Sequence, residues 1–193
     1  LKKLTKDFYE RVDVVQIAKD LLGKELYTHI DGKLTSGIIT ETEAYNGIID
    51  RASHAFGRRY TNRTKTMYES GGISYVYLCY GIHHLFNVVT NIENEPHAVL
   101  IRNIKPVKGI ETILTRRNKK KLTKAISTGP GTLSQALGIT TKVHNGISLL
   151  GDTIWIEDCE AIIKDDAISV TPRIGVDYAG EDAKLPYRFL LNI

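Results

Sequence analysis

In the stretch ITETEAY, Ile39 to Tyr45, the two-residue period of a β-strand puts Glu41, Glu43 and Tyr45 on one face and Thr40, Thr42 and Ala44 on the other. Neither set makes a good core face. The ordinary home for one such glutamate is the wet face of an edge strand. The alternative is a cleft, where a carboxylate acts as a base while the neighbouring ring holds a substrate. A second stretch, YVYLCYGIHH from Tyr75 to His84, supplies more rings: Tyr75 and Tyr77 share a strand face, and Tyr80 directly precedes Gly81. Asn87 and Arg102 interrupt FNVV and HAVLIRNI, runs that otherwise read as buried. A lone polar residue in such a run is normally a structural hydrogen bond or ion pair. Interruptions in several neighbouring segments point instead to a polar site built on a sheet.

The histidines show no zinc arrangement. His83 and His84 are adjacent, so a strand turns them to opposite faces, and no second close pair supports them. His54, read alone, is a loop histidine. Cys79 and Cys159 form neither a metal nor a redox spacing, which points to a reducing compartment. Positive charge gathers in GRRYTNRTK (Arg58, Arg59, Arg63, Lys65) and in RRNKKKLTK (Arg116, Arg117, Lys119, Lys120, Lys121, Lys124). Such runs are most often solvated loops or helix ends, but a net charge of +4 is compatible with a polyanionic partner.

The elements that must carry these residues are legible from pattern. A chain of 193 residues, 42% hydrophobic and 25% charged, fits one soluble globular domain. No apolar run reaches membrane-spanning length, and LKKLTKDFYERVD is too charged for a secretory signal. Leu1 is no initiator, so the native N-terminus is expected upstream. DVVQIAKDLLG reads as a helix capped by Asp13 and stopped by Gly23. KELYTHI and KLTSGIITETEAY flank Asp31 and Gly32, a pair suited to a tight hairpin turn. SYVYLCY, FNVVTN and HAVLIRNI follow as strands, then a helix in KPVKGIETILTRR with Pro106 near its start, and a short helix between Gly129 and Gly138. DTIWIED, EAIIKD, AISVTPRIGV and RFLLNI read as the remaining strands. The expected fold is α+β, a single domain over residues 1–193 with a mostly antiparallel, curved sheet and surrounding helices.

At this point several ordered blocks match a known pattern. ETEAYNGIIDRASHA, YVYLCYGIHHLFNVV, LIRNIKP, GPGTLSQALGI and RIGVDYAGEDAKLPYRF together resemble the alkyladenine DNA glycosylase family, of the 3-methyladenine DNA glycosylase type, over nearly the whole chain. The resemblance implies that Glu43 is the general base that activates water, and that Arg102 orients that water with it. Tyr45, His54 and Tyr77 are implied to wall the pocket in which an extruded base stacks. Asn87 is implied to crowd the amino group of normal guanine, and the carbonyl of Val176 to complete the water's shell. Tyr80 is implied to enter the duplex where the base has left. The family often has Thr-Pro-Arg-Asn where Thr61 to Thr64 read TNRT, and an aromatic residue and Cys where His84 and Leu85 stand. These departures bear on DNA contacts and pocket breadth, not on the base or the stacking rings.

The implied chemistry is physically coherent. A base inside a duplex is out of reach, so the enzyme must swing it out and hold it. Stacking on aromatic rings is worth about 1 to 3 kcal/mol per base, and an alkylated, cationic purine adds a cation–π attraction. Such a base needs no protonation to leave, so one carboxylate suffices, with Glu41 expected to matter less than Glu43. No lysine nucleophile is evident, which favours base release without strand cleavage. The expected partner is double-stranded DNA containing damaged purines, with no cofactor, no metal and no membrane, and the chain acting as a monomer. It would work in the cytoplasm at the nucleoid in a bacterium, or in the nucleus of a eukaryote. A metal-dependent nuclease using Glu41, Glu43 and a histidine, or a non-catalytic nucleic-acid-binding module, are the alternatives.

Overall fold

A computed structural model describes residues 2–192. Its strands are β1 (Lys2–Lys3), β2 (Glu25–Ile30), β3 (Lys33–Tyr45), β4 (Ser74–Cys79), β5 (His83–Thr90), β6 (His97–Lys108), β7 (Ile154–Asp158), β8 (Ile168–Thr171) and β9 (Arg188–Leu191). They form one antiparallel sheet in the order β1-β7-β2-β3-β6-β5-β4, with the β8–β9 pair joined to β3. The α-helices are α1 (Lys6–Tyr9), α2 (Val14–Asp20), α3 (Ile110–Arg116), α4 (Pro130–Leu137) and α5 (Thr141–His144). Among the described residues, no helix is long and apolar enough to cross a membrane.

The 13-residue β3 is the trunk of the sheet. β2 covers one side of it only from Lys33 to Ile38. Beyond that point β9 takes the vacated side, pairing Leu190, Phe189 and Arg188 with Glu41, Thr42 and Glu43. β6 runs along the other side from Ser36 to Tyr45. The glutamates therefore lie inside the sheet and not on an edge strand. Both faces of ITETEAY are buried: Thr42 meets α2, where its Oγ1 donates to the Ala18 carbonyl at 2.8 Å, and the glutamate face turns to a cleft. Thr42 can lie on a core face because a helix carbonyl satisfies its hydroxyl, whereas the buried Thr40 hydroxyl has no partner.

The strand alternation sorts side chains into two layers. Val76, Phe86 and Val88 join the main core with Ile17 of α2, Leu21 at its C-cap, and Leu133 and Leu137 of α4. Tyr75 and Val89 turn the other way, into a smaller cluster with Met67, Tyr68 and Ala98. α2 begins as expected, the Asp13 carboxylate accepting from Gln16 N–H at 2.9 Å. The β2–β3 turn places both Asp31 (φ 54°) and Gly32 (φ 67°) in the left-handed region, the backbone of a type I′ hairpin.

Three expectations are corrected. Pro106 does not open a helix. It lies within β6, opposite Gly37, and α3 starts after Gly109. EAIIKD is not a strand: it joins no ladder, and only Ile163 packs against the core while Ile162 is 95% exposed. AISVTPRIGV is a strand only as far as Thr171, because Pro172 brings no N–H for a ladder, and Arg173 to Val176 loop towards the cleft. The short elements β1, α1 and α5 have too few residues to show a period.

Gly109 makes the reversal from β6 into α3 possible. Its φ is +67°, and a Cβ there would sit 2.3 Å from the Leu34 carbonyl oxygen, a backbone atom with little room to move. Gly109→Ala should therefore destabilise the fold by at least about 1 kcal/mol, measured as a lower urea midpoint with an unchanged slope.

Candidate active site

On the cleft side of the sheet lies a cavity of ≈ 410 Å³, within the size range of small-ligand pockets. Tyr45, His54, Tyr77, Tyr80, Asn87, Arg102 and Val176 all line it. The structure thus gathers residues from β3, β4, β5, β6, two loops and the β4–β5 turn, while Glu41 and Glu43 are absent from the lining.

Glu43 stands one layer behind. Its side chain is fully buried, and its partners Tyr45, Ile174 and Arg102 are themselves part of the lining. Oε2 accepts from the Tyr45 hydroxyl at 2.9 Å, and Oε1 accepts from the Ile174 backbone N–H at 2.8 Å. Arg102 Nη1 lies 3.3 Å from Oε1. Burial raises the Glu43 pKa above the usual glutamate value, and the Arg102 charge and the two hydrogen bonds only partly offset it. Burial also drives the Tyr45 phenol well above its ordinary range, so this ring stays a donor to the carboxylate.

The aromatic walls come from two separate clusters. Tyr45 packs with Ala52, Val176 and Ala179, whereas Tyr77 packs with the Met67 and Tyr75 group. His54 stands edge-on to Tyr77, with centroids 4.7 Å apart, and its Nδ1 is 2.9 Å from the Tyr75 hydroxyl. Burial, helped by Arg63 and Arg59, pushes the His54 pKa down to about 4, so the ring is neutral near pH 7 and serves as a polar wall. Asn87 is locked, its Nδ2 donating to the carbonyls of Tyr75 (3.1 Å) and Leu85 (3.3 Å). Leu85 also lines the cavity, opposite Tyr77 in the β4–β5 ladder. His84 points elsewhere; its Nδ1 accepts from Thr141 N–H at 3.0 Å, and His83 lies against Gly131 of α4.

Tyr80 occupies the tip of the β4–β5 hairpin. It is 91% exposed, with φ 50°, and Gly81 follows at φ 72°. Two successive left-handed residues make a turn sharp enough to hold the ring away from the body of the protein. The basic residues Arg58, Arg59, Arg63 and Lys65 are exposed on the loop between β3 and β4. Arg63 reaches the cavity mouth, with its guanidinium 4.9 Å from the Tyr77 centroid. Lys119 to Lys121 are exposed in the segment after α3. Among the described residues, no three His, Cys, Asp or Glu side chains come together as a metal site.

Sequence reasoning missed the strut behind Tyr45. Arg173 Nη1 donates to the Ala44 carbonyl at 2.9 Å and pairs with Asp50 at 2.5 Å. Its Nη2 donates to the other Asp50 oxygen at 2.9 Å, and its guanidinium lies 4.8 Å from the Tyr45 centroid. Asp50 in turn accepts from the N–H groups of Asn46 and Ala52. One buried ion pair therefore fixes the loop after β3, the loop after β8 and the ring between them. The only sequence signal was an arginine inside RIGV, in a segment that read as a strand.

Removing one partner of such a pair strands a buried charge. Asp50→Ala should cost about 3 to 5 kcal/mol in equilibrium denaturation, whereas Asp182→Ala, which leaves the Arg173–Asp50 pair in place, should cost far less.

The sequence model of the family described as methylpurine-DNA glycosylase (MPG) matches residues 7–192. A protein from Chlamydia felis named "Putative 3-methyladenine DNA glycosylase" is 50% identical over 191 residues, 98% of this chain and 96% of its own. One of the same name from Bacillus cereus is 47% identical over 190 residues, 94% of this chain and 92% of its own. The chain belongs to the methylpurine-DNA glycosylase family: it is a DNA-repair glycosylase, a hydrolase of N-glycosyl bonds in DNA.

Proposed function

We propose that this protein extrudes alkylated or deaminated purines from duplex DNA and hydrolyses their N-glycosidic bond with water activated by Glu43. The observation that carries the reading is a buried carboxylate of raised pKa, hydrogen-bonded one layer behind an aromatic cavity the size of a small-ligand site. Tyr45, Tyr77 and neutral His54 hold the extruded base by stacking and by polar edges, and Asn87 sets the shape of the site from a fixed position. Glu43 takes the proton of the attacking water, and its charge favours the cationic sugar of the transition state. Arg102 and the carbonyl of Val176 orient that water. The lining contains no lysine, so water and not an amine is the nucleophile, and the base leaves without strand cleavage. Tyr80 fills the stack that the nucleotide vacates, and the exposed arginine loop meets phosphates. One chain carries all of these groups, which supports action as a monomer.

Glu43 works as a base only when deprotonated, so activity falls as pH drops through its pKa. Because that pKa is raised, the acid limb of single-turnover excision should lie above the ordinary glutamate value of about 4.3. Glu43→Gln should cut excision by at least roughly 100-fold, remove that limb and leave lesion binding intact. Near-normal excision by this variant would sink the assignment.

The two kinds of tyrosine separate in a second test. Tyr80→Ser should lose most on a stably paired lesion and least on the same lesion in a bubble, where unstacking costs less. Tyr77→Ala, which removes a pocket wall, should lose roughly 10-fold or more in both contexts, in line with one lost stacking contact. Equal losses for both variants in both contexts would show that Tyr80 is merely another wall.

A further inference from the structure

We infer that Glu41 is a positioning residue that holds Arg102 off Glu43 and so keeps Glu43 free to act as a base. The inference rests on the reading of Glu43 as that base.

The geometry is a contest for one guanidinium. Arg102 Nε donates to Glu41 Oε1 at 2.8 Å, while only Nη1 approaches Glu43, at 3.3 Å. The same Glu41 oxygen accepts from Arg188 Nε at 2.7 Å. All of this is buried: side-chain exposure is 8% for Glu41, 10% for Arg102 and 19% for Arg188. A guanidinium laid squarely on a carboxylate grips both oxygens and takes up the lone pairs a base must offer. Here the Nε arm of Arg102 is spent on Glu41. Glu43 Oε1 is left with the Ile174 N–H and the long Arg102 contact, and Oε2 with the Tyr45 hydroxyl.

The backbone explains how one arginine spans two glutamates on the same strand. The β3–β6 register shifts on both sides of Glu41, which pairs with Asn103 while Thr42 pairs with Ile101, so Arg102 falls at the irregularity without a cross-strand partner. Bulges of this kind re-aim a side chain. β9 then delivers Arg188 to the other side of Glu41, which balances the two buried carboxylates with two guanidinium groups. The charged and titratable groups around Glu43 come from every element packed on it: Glu41 and Tyr45 from β3, Arg102 from β6, Arg188 from β9, and Arg173 and Tyr178 from the chain between β8 and β9.

The test is the pH profile of single-turnover base release from a lesion-containing duplex, measured for Glu41→Gln, Arg102→Gln and the double variant. In Glu41→Gln, Arg102 closes on Glu43 and makes it more acidic. The acid limb should move to lower pH by about one unit, and the plateau should fall by about 3- to 10-fold because the base is weaker. In the Arg102→Gln background the same substitution should move the limb much less, since only the direct repulsion between Glu41 and Glu43 is then lost. Arg188→Gln probes the balance from the other side, and stands alone if Glu41→Gln fails to fold. It releases Glu41 to Arg102, and the limb should move to higher pH. An unmoved limb in Glu41→Gln, or in Arg188→Gln, overturns the inference, and so does a Glu41→Gln shift that is undiminished in the Arg102→Gln background. None of these results touches the assignment of Glu43, which stands or falls on whether Glu43→Gln abolishes the limb.

Discussion

A carboxylate that is to act as a base inside a protein faces opposing demands. Out of water its charge is costly, and the remedy that lowers the cost, a tight cation, also removes its basicity. Glu43 sits at that balance point. It is fully buried, it is bonded by one hydroxyl and one backbone N–H, and its nearest cation approaches only to 3.3 Å. Much of the surrounding architecture can be understood as the means of holding those partners at those distances.

The sheet does this through the length of β3 and a change of neighbour partway along it. β2 and β9 share one side of the strand, so the region of the glutamates receives an arginine from β9 as well as one from β6. The loop after β8 returns to the same place, where Ile174 donates to Glu43 and Arg173 locks onto Asp50. Buried charges in this region are paired with buried opposite charges, which is the condition under which such groups are tolerated. Their pairing also ties together the loops around Tyr45.

The proposed DNA contacts fall on different elements. The hairpin tip is exposed, sharply turned and uncharged, and the arginine loop is exposed and charged. Both are free of the core packing that constrains the cavity residues. The cavity residues, in contrast, gain their character from burial: His54 is held neutral, and Tyr45 and Tyr77 stay protonated because desolvation opposes their ionisation.

The sequence by itself determined what depends on neighbours along the chain. Period two put Glu43 beside Tyr45 and Tyr75 beside Tyr77. Asp13 announced the start of α2, and Asp31-Gly32 the hairpin that opens β3. Ordered motifs brought the family and a list of residues that the fold does collect around one cavity. The sequence misread Pro106, EAIIKD and RIGV, where local propensity and tertiary placement disagree. Only the tertiary structure decided the electrostatics. Arg188 meets Glu41 across 147 residues and Arg173 meets Asp50 across 123, and such pairs leave no period or spacing to read. A side chain's charge state is set by its burial and by the groups that fold against it, so the chain can name its glutamates, but only the folded sheet raises the pKa of one of them.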